Sequence, residues 1–323
     1  MASTCTEIER PLAPLKSSRA ESARWVPLAF AAVYILWGST FLGIRIAIES
    51  FPPLAMAAIR HSLVGLILYP ILRIKTGIRP TAGNWWTAAV TGVSLLCISN
   101  GGLSWAEQKV PSGIAALLVA TISLWLVILD WLRPRGSRPV PRVFVGLVLG
   151  FAGMALLVGP ANLGGSRRID LMGTGVLVIA SFVWACASLY SKQRAMPASP
   201  LLVVAMQSLA GGAALWIAAI FSGEFRQLHF AAISGRSWMA LIYLVVFGSG
   251  IGFTAYLYIL EKSTPSKVAT YAFVNPVVAL FLGWMIVGET ITTRTAIAAA
   301  VILTAVILVI SAPRAGAAQT ADH

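Results

Sequence analysis

The stretch Asn100–Arg133, NGGLSWAEQKVPSGIAALLVATISLWLVILDWLR, decides the fold because the chain carries it twice. A short polar step, Glu107-Gln108-Lys109-Val110-Pro111-Ser112, precedes an apolar run from Pro111 to Leu132. That run has about the ~20 residues a helix needs to cross ~30 Å of hydrocarbon. Further on, Glu261-Lys262-Ser263-Thr264-Pro265-Ser266 leads into KVATYAFVNPVVALFLGWMIV. A shift of 154 positions lays Glu107 on Glu261, Pro111 on Pro265, Ala115 on Ala269 and Leu126 on Leu280. Upstream the echo continues at a shift of 147, with Trp37 on Trp184, Arg45 on Lys192, Pro53 on Pro200 and Gly65 on Gly212. Collinear matches over most of two halves indicate an internal duplication.

Working outward, composition sets the solvent. The 323 residues are 58% hydrophobic and only 11% charged, with mean hydropathy +0.83. Soluble domains carry about 25% charged residues, so this chain is built for lipid. The net charge of +13 would suggest nucleic acid in a soluble protein. Here Lys and Arg fall in the short connections between apolar runs, which removes that class. Cys5, Cys97 and Cys186 form no C-x-x-C pair and no metal spacing. No His, Cys, Asp or Glu cluster suits a metal, and no G-x-x-x-x-G-K-[ST] loop offers ATP a site.

Residues 1–25 read as a polar cytoplasmic tail, lacking the apolar core of a signal peptide. Apolar runs follow at roughly 26–46, 54–73, 84–105, 111–132, 141–159, 171–191, 200–221, 237–260, 265–287 and 294–312, ahead of a second tail at 313–323. Each is long enough to cross, and in lipid only a helix satisfies its own backbone. With the first tail inside, 16 of the 24 Lys and Arg lie on the inner side, 6 lie outside, and Arg45 and Arg60 remain within apolar runs. The positive-inside bias therefore predicts that both termini are cytoplasmic. Ten spans in two halves give five per half, and an odd number inverts the second half. The expected architecture is all-α: ten transmembrane helices as two inverted five-helix repeats, 26–160 and 171–312. Two inverted halves rocking about a midplane site is the plan of many secondary transporters.

Several motifs then carry a resemblance. Trp37-Gly38-Ser39-Thr40-Phe41 with Phe51-Pro52-Pro53-Leu54 and Ala58-Ile59-Arg60-His61 resembles the opening of EamA-type permeases, in the drug/metabolite transporter superfamily. Trp105-Ala106-Glu107-Gln108, Val110–Ala116, Asn275-Pro276-Val277 and Gly288-Glu289 add to it. Pro134-Arg135 departs from the pattern where the second half has Gly288-Glu289. The resemblance spans about 25–315 and implies a ten-helix carrier of small organic molecules, with no cofactor. The expected setting is the cell inner membrane, with lipid and a small-molecule substrate as partners and no nucleic acid. The expected activity is secondary-active or facilitative transport of metabolites or drugs, as an exporter. The competing class is a polytopic membrane enzyme acting on a lipid or membrane-borne substrate, which would need convergent catalytic groups. The chain has three histidines, His61, His229 and His323, the last two in a loop and a tail.

Arg60 lies within the second span, where a charge costs about 2.5–3.5 kcal/mol on insertion scales. It reads either as an anion contact or gate ion pair, or as a snorkelling structural cation. Its repeat mate is Gln207, while His61 reads as a packing histidine. Trp37 and Trp184 are mates too deep for an interfacial belt, so a cavity wall is their reading. Thr121 matches Asn275, with Trp125 and Tyr271 one turn away. Pro276 should kink its helix and free a carbonyl one turn back, beside Tyr271. Together Arg60, Trp37, Thr121, Trp125, Trp184, Gln207, Tyr271 and Asn275 form the candidate substrate site. Glu107 and Glu261, four residues before Pro111 and Pro265, read as helix-entry chemistry or as gates. Gly248-Ser249-Gly250-Ile251-Gly252 looks like a dinucleotide loop, but sits in an apolar run without a preceding strand. Close helix packing is its reading.

Overall fold

The computed structural model describes residues 25–110, 115, 118–133, 139–158, 170–194, 196–197, 199–282, 285 and 292–312. Residues 1–24 and 313–323, Pro111-Ser112, Pro134-Arg135 and Gly288-Glu289 lie outside the described residues. Within them the chain is helical, with no strand. Its longer helices are α1 (Val26–Ala47), α2 (Pro53–Thr76), α3 (Ala82–Ala106), α4 (Ile122–Leu132), α5 (Pro141–Val158), α6 (Leu171–Gln193), α7 (Pro200–Phe221), α8 (Gly235–Lys262), α9 (Tyr271–Leu282) and α10 (Thr293–Ile310). Six of the described helices, α1, α2, α3, α6, α7 and α8, are long and apolar enough to cross a membrane; α4, α5 and α10 are shorter apolar helices. Large side chains such as Phe221, Leu66, Phe144, Ile179 and Ile307 point outward, as lipid-facing surfaces do.

Local chemistry fixes the ends. Thr81 and Asn84 form a reciprocal capping box at the start of α3, Asp170 accepts the Gly173 N–H at the start of α6, and Ser234 accepts that of Ser237 at the start of α8. Gly77 ends α2 in the left-handed region at φ 64°. One expectation needs correction: the ninth apolar run is not one helix from 265. A single turn, Pro265–Val268, is separated from α9 by Ala269 and Thr270. The Thr270 hydroxyl bonds Tyr34 at 2.6 Å, and Ala269 O accepts the Ser123 hydroxyl at 2.8 Å. Side chains from two other segments thus hold the break. Pro276 itself lies inside α9.

The two halves meet along α2 and α7. A Cβ on Gly65 would stand 2.8 Å from the Leu209 nitrogen, and one on Gly212 3.0 Å from that of Ser62. Gly65 and Gly212 are repeat mates, and so, at the same shift of 147, are Ser62 and Leu209. The contact is therefore made twice, reciprocally, between antiparallel helices, which is the mark of a two-fold interface. The α5–α10 pair is antiparallel too, with Gly146 against Val309 and Gly153 against Ile302.

Two further features are duplicated or shared between the halves. α3 and α8 each contain nine residues wound with a wider, i→i+5 turn, Val93–Gly101 and Leu244–Gly252, at matching places. Such segments are rare and favour functional sites. At one end of the bundle, the connection after α1 is clasped by the connection after α7. Glu224 accepts the Leu54 and Ala55 N–H groups at 2.7 and 3.2 Å, capping α2. Ser234 N–H donates to Ser50, the Ser237 hydroxyl donates to Ile46 O, and Phe51 packs edge-on to Trp238 at 5.1 Å.

Candidate functional site

Between the halves lies a cavity of about 90 Å³ walled by α1, α2, α3, α6, α8 and α9, together with residues at and just before the start of α4. Trp37, Arg60, Trp184, Tyr271 and Asn275 line it, joined by His61, Ser99 and Asn100. Three named candidates do not reach its wall. Thr121 turns its hydroxyl to Leu118 O at 2.5 Å. Trp125 packs edge-on to Phe182 at 5.2 Å. Gln207 donates to the Thr91 hydroxyl at 2.7 Å, joining α7 to α3. Arg60 and its repeat mate therefore hold different stations.

The walls are aromatic. Trp37 and Trp184, one from each half, meet edge-on at 5.6 Å, and Tyr271 meets Trp37 edge-on at 5.1 Å. Tyr256 closes behind them, 4.9 Å from Trp37 and 5.5 Å from Trp184, its hydroxyl accepting the Trp184 indole N–H at 3.0 Å. Edge-on pairs of this kind lock ring orientation.

Arg60 is 4% exposed. Its Nε donates to the Ser249 hydroxyl at 2.7 Å, while Nη1 has no hydrogen-bond partner. Room for the guanidinium comes from Gly248, where a Cβ would fall 2.8 Å from Nη2 and 2.9 Å from Thr40. Gly248 O accepts the Trp37 indole N–H at 3.0 Å, and a Cβ on Gly252 would fall 2.7 Å from the same nitrogen. The Gly-Ser-Gly-Ile-Gly run is thus more than helix packing: it cradles both Arg60 and Trp37. A glycine at every turn of an apolar helix, opposite an in-span arginine, was the available signal. His61, read from the sequence as packing, lines the cavity beside Asn100. Asn275 Oδ1 also lacks a partner. Buried polar groups are normally satisfied, so an unmet guanidinium donor and an unmet amide oxygen on one cavity wall suit it to a polar ligand.

Glu107 and Glu261 lie away from the cavity. Glu261 is exposed and bonds Lys262 at 2.7 Å. Glu107 is half-buried one residue past α3; burial pushes its carboxyl up to about 8, with the charge of Arg45 acting in the other direction. A second, apolar groove of about 680 Å³ runs between α1, α2, α7 and α8, lined by Leu28, Ile67, Val246 and Tyr258. Its lining holds no charged side chain. Among the described residues no group of His, Cys, Asp and Glu could hold a metal.

A family model described as the EamA-like transporter family matches residues 23–159 and again 171–311. The chain belongs to the EamA-like transporter family. Among relatives, the "Uncharacterized inner membrane transporter YedA" of Escherichia coli (strain K12) is 37% identical over 282 residues, 87% of this chain and 89% of that one. The "Uncharacterized transporter YvbV" of Bacillus subtilis (strain 168) is 26% identical, covering 87% and 90%. The "Probable amino-acid metabolite efflux pump" of Escherichia coli (strain K12) is 23% identical, covering 84% and 90%. A solved structure titled "Crystal structure of protein" superposes with a TM-score of 0.74 at 20% identity, covering 89% of this chain and 98% of its own. The EamA-like match in each half agrees with the duplication read from the sequence. The chain is a multi-pass membrane transporter, and these names point away from an enzyme.

Proposed function

We propose that the protein is a secondary-active or facilitative carrier of small organic metabolites or drugs, an exporter in the inner membrane, working by alternating access. Its frame is ten spans in two inverted five-helix repeats, 26–160 and 171–312, with cytoplasmic tails at 1–25 and 313–323. The reciprocal, antiparallel contact of α2 and α7 supports inversion, because a two-fold relating antiparallel spanning helices lies in the membrane plane. The excess of Lys and Arg on one side supports the orientation. The relative named an efflux pump supports the direction.

One observation carries the reading. Arg60 is buried in a cavity between the halves with Nη1 unpaired, and so offers a charged donor to an anionic or zwitterionic substrate group. Trp37, Trp184 and Tyr271 supply apolar walls, and Asn275 a hydrogen-bonding partner. Glu107 and Glu261 act at opposite ends as gates. The test is Arg60→Gln in proteoliposomes, with flux screened over acids, amino acids, sugars and cationic drugs. Transport falls or KM rises while the protein remains folded, and Arg60→Lys restores it in part because a point charge lacks the planar fork. Unchanged flux with a lowered melting temperature makes Arg60 structural and refutes the site.

A further inference from the structure

With the cavity as the transport site, its fixed charge restricts what can pass and how. A guanidinium stays protonated in proteins. Among the described residues no carboxylate lines the cavity: Glu49 pairs with Arg236, Asp130 with Arg133 and Glu261 with Lys262, and Arg60 forms no ion pair. Arg60 donates through Nε to the Ser249 hydroxyl and lays Nη2 against Gly248. His61 beside it supplies no negative charge in any protonation state. Among the described residues the cavity therefore holds one uncompensated positive charge, a costly arrangement wherever water is excluded.

We propose that the chain exchanges small carboxylate monoanions, one inward for one outward; the proposal rests on the transport reading above. A monoanion brings the closed cavity to neutrality. A zwitterion leaves it at plus one and adds an ammonium that meets no carboxylate. A dianion overshoots, and a cation is repelled. A carboxylate also fits the planar guanidinium edge that Nη1 leaves unpaired. Asn275 Oδ1, likewise unpartnered, accepts from a donor on the same ligand, as a 2-hydroxy acid would present. The loaded carrier crosses its closed state neutral, whereas the unloaded carrier must bury a bare guanidinium. Reorientation is then fast only when loaded, and net flux gives way to exchange.

The test uses the full-length protein with L-lactate, glycolate and pyruvate as acids, L-alanine as a zwitterion and ethanolamine as a cation. Thermal melting in detergent reads binding, and radiolabelled lactate uptake into proteoliposomes reads transport. Uptake into vesicles loaded with lactate should be at least tenfold faster than into vesicles holding buffer alone. The acids, and not alanine or ethanolamine, should raise the melting temperature. Arg60→Gln should lose both effects without losing the folded protein, and Arg60→Lys should keep exchange at weaker affinity. Equal uptake into loaded and buffer-only vesicles overturns exchange while leaving transport intact. A response to alanine in place of the acids, or acceleration by chloride-loaded vesicles equal to that by lactate, overturns the carboxylate class. Silence towards all three acids overturns it too. Lactate flux surviving in Arg60→Gln instead refutes the cavity as the transport site.

Discussion

Substituting Gly248 with Ala tests the cradle directly, because Gly250, two residues on, supplies an internal control. A methyl at 248 arrives 2.8 Å from Arg60 Nη2 and 2.9 Å from Thr40 Cγ2. A methyl at 250 meets only Val245 O, at an ordinary 3.4 Å. Both changes gain the same helix propensity, roughly 1 kcal/mol, so it cancels between them. What remains at 248 is overpacking, about 1–3 kcal/mol, plus loss of the charge-assisted Arg60–Ser249 bond, about 1.5–3 kcal/mol. The full separation is then about 2.5–6 kcal/mol, approached when the guanidinium cannot retreat. Purified variants compared by thermal melting should show Gly250→Ala at or above the parent and Gly248→Ala several degrees below it. Displacement of the guanidinium should also weaken acid binding, read by quenching of Trp37 and Trp184. Matching melting curves and matching binding for the two variants would refute the cradle.

Other outcomes follow from contacts elsewhere. Gly92→Ala should yield no folded protein on size exclusion, because its Cβ would fall 2.3 Å from Gln207 O across the α3–α7 crossing, whereas Gly175→Ala, with nothing within 4 Å, should be neutral. Glu224→Ala should cost about 1–2 kcal/mol of stability by uncapping α2, and Glu224→Gln, which keeps an acceptor, much less. Glu107 has its folded pKa raised from 4.5 to about 8, so the fold favours its protonated form. That stability is fully present below about pH 4.5 and is lost as pH rises through about 8. Melting temperature should fall across that window, and Glu107→Gln should flatten the slope.

Most helices were legible because hydrocarbon admits one backbone solution, so composition and length alone marked most helix positions within a few residues. The duplication was legible for a similar reason: Gly65 and Gly212 must both be small where two backbones cross. Arg60 stood out as a charge in an apolar run, and Trp37 and Trp184 as mates too deep for the interface. What stayed hidden were partners chosen by geometry rather than by type. Ser249 is one serine among many until α8 turns it onto Arg60 Nε. Gln207 seemed a site residue by its register, but helix rotation aims it at Thr91. The interruption at Ala269-Thr270 was equally invisible, because the residues that hold it, Ser123 and Tyr34, come from distant segments.

The seam at α2 and α7 carries a consequence for chain order. Gly65 faces Leu209 as Gly212 faces Ser62, so that contact is indifferent to which half was made first. A circular permutant beginning near residue 171, with the present ends joined, would present the same surfaces to each other. The order of synthesis would change and the seam would not.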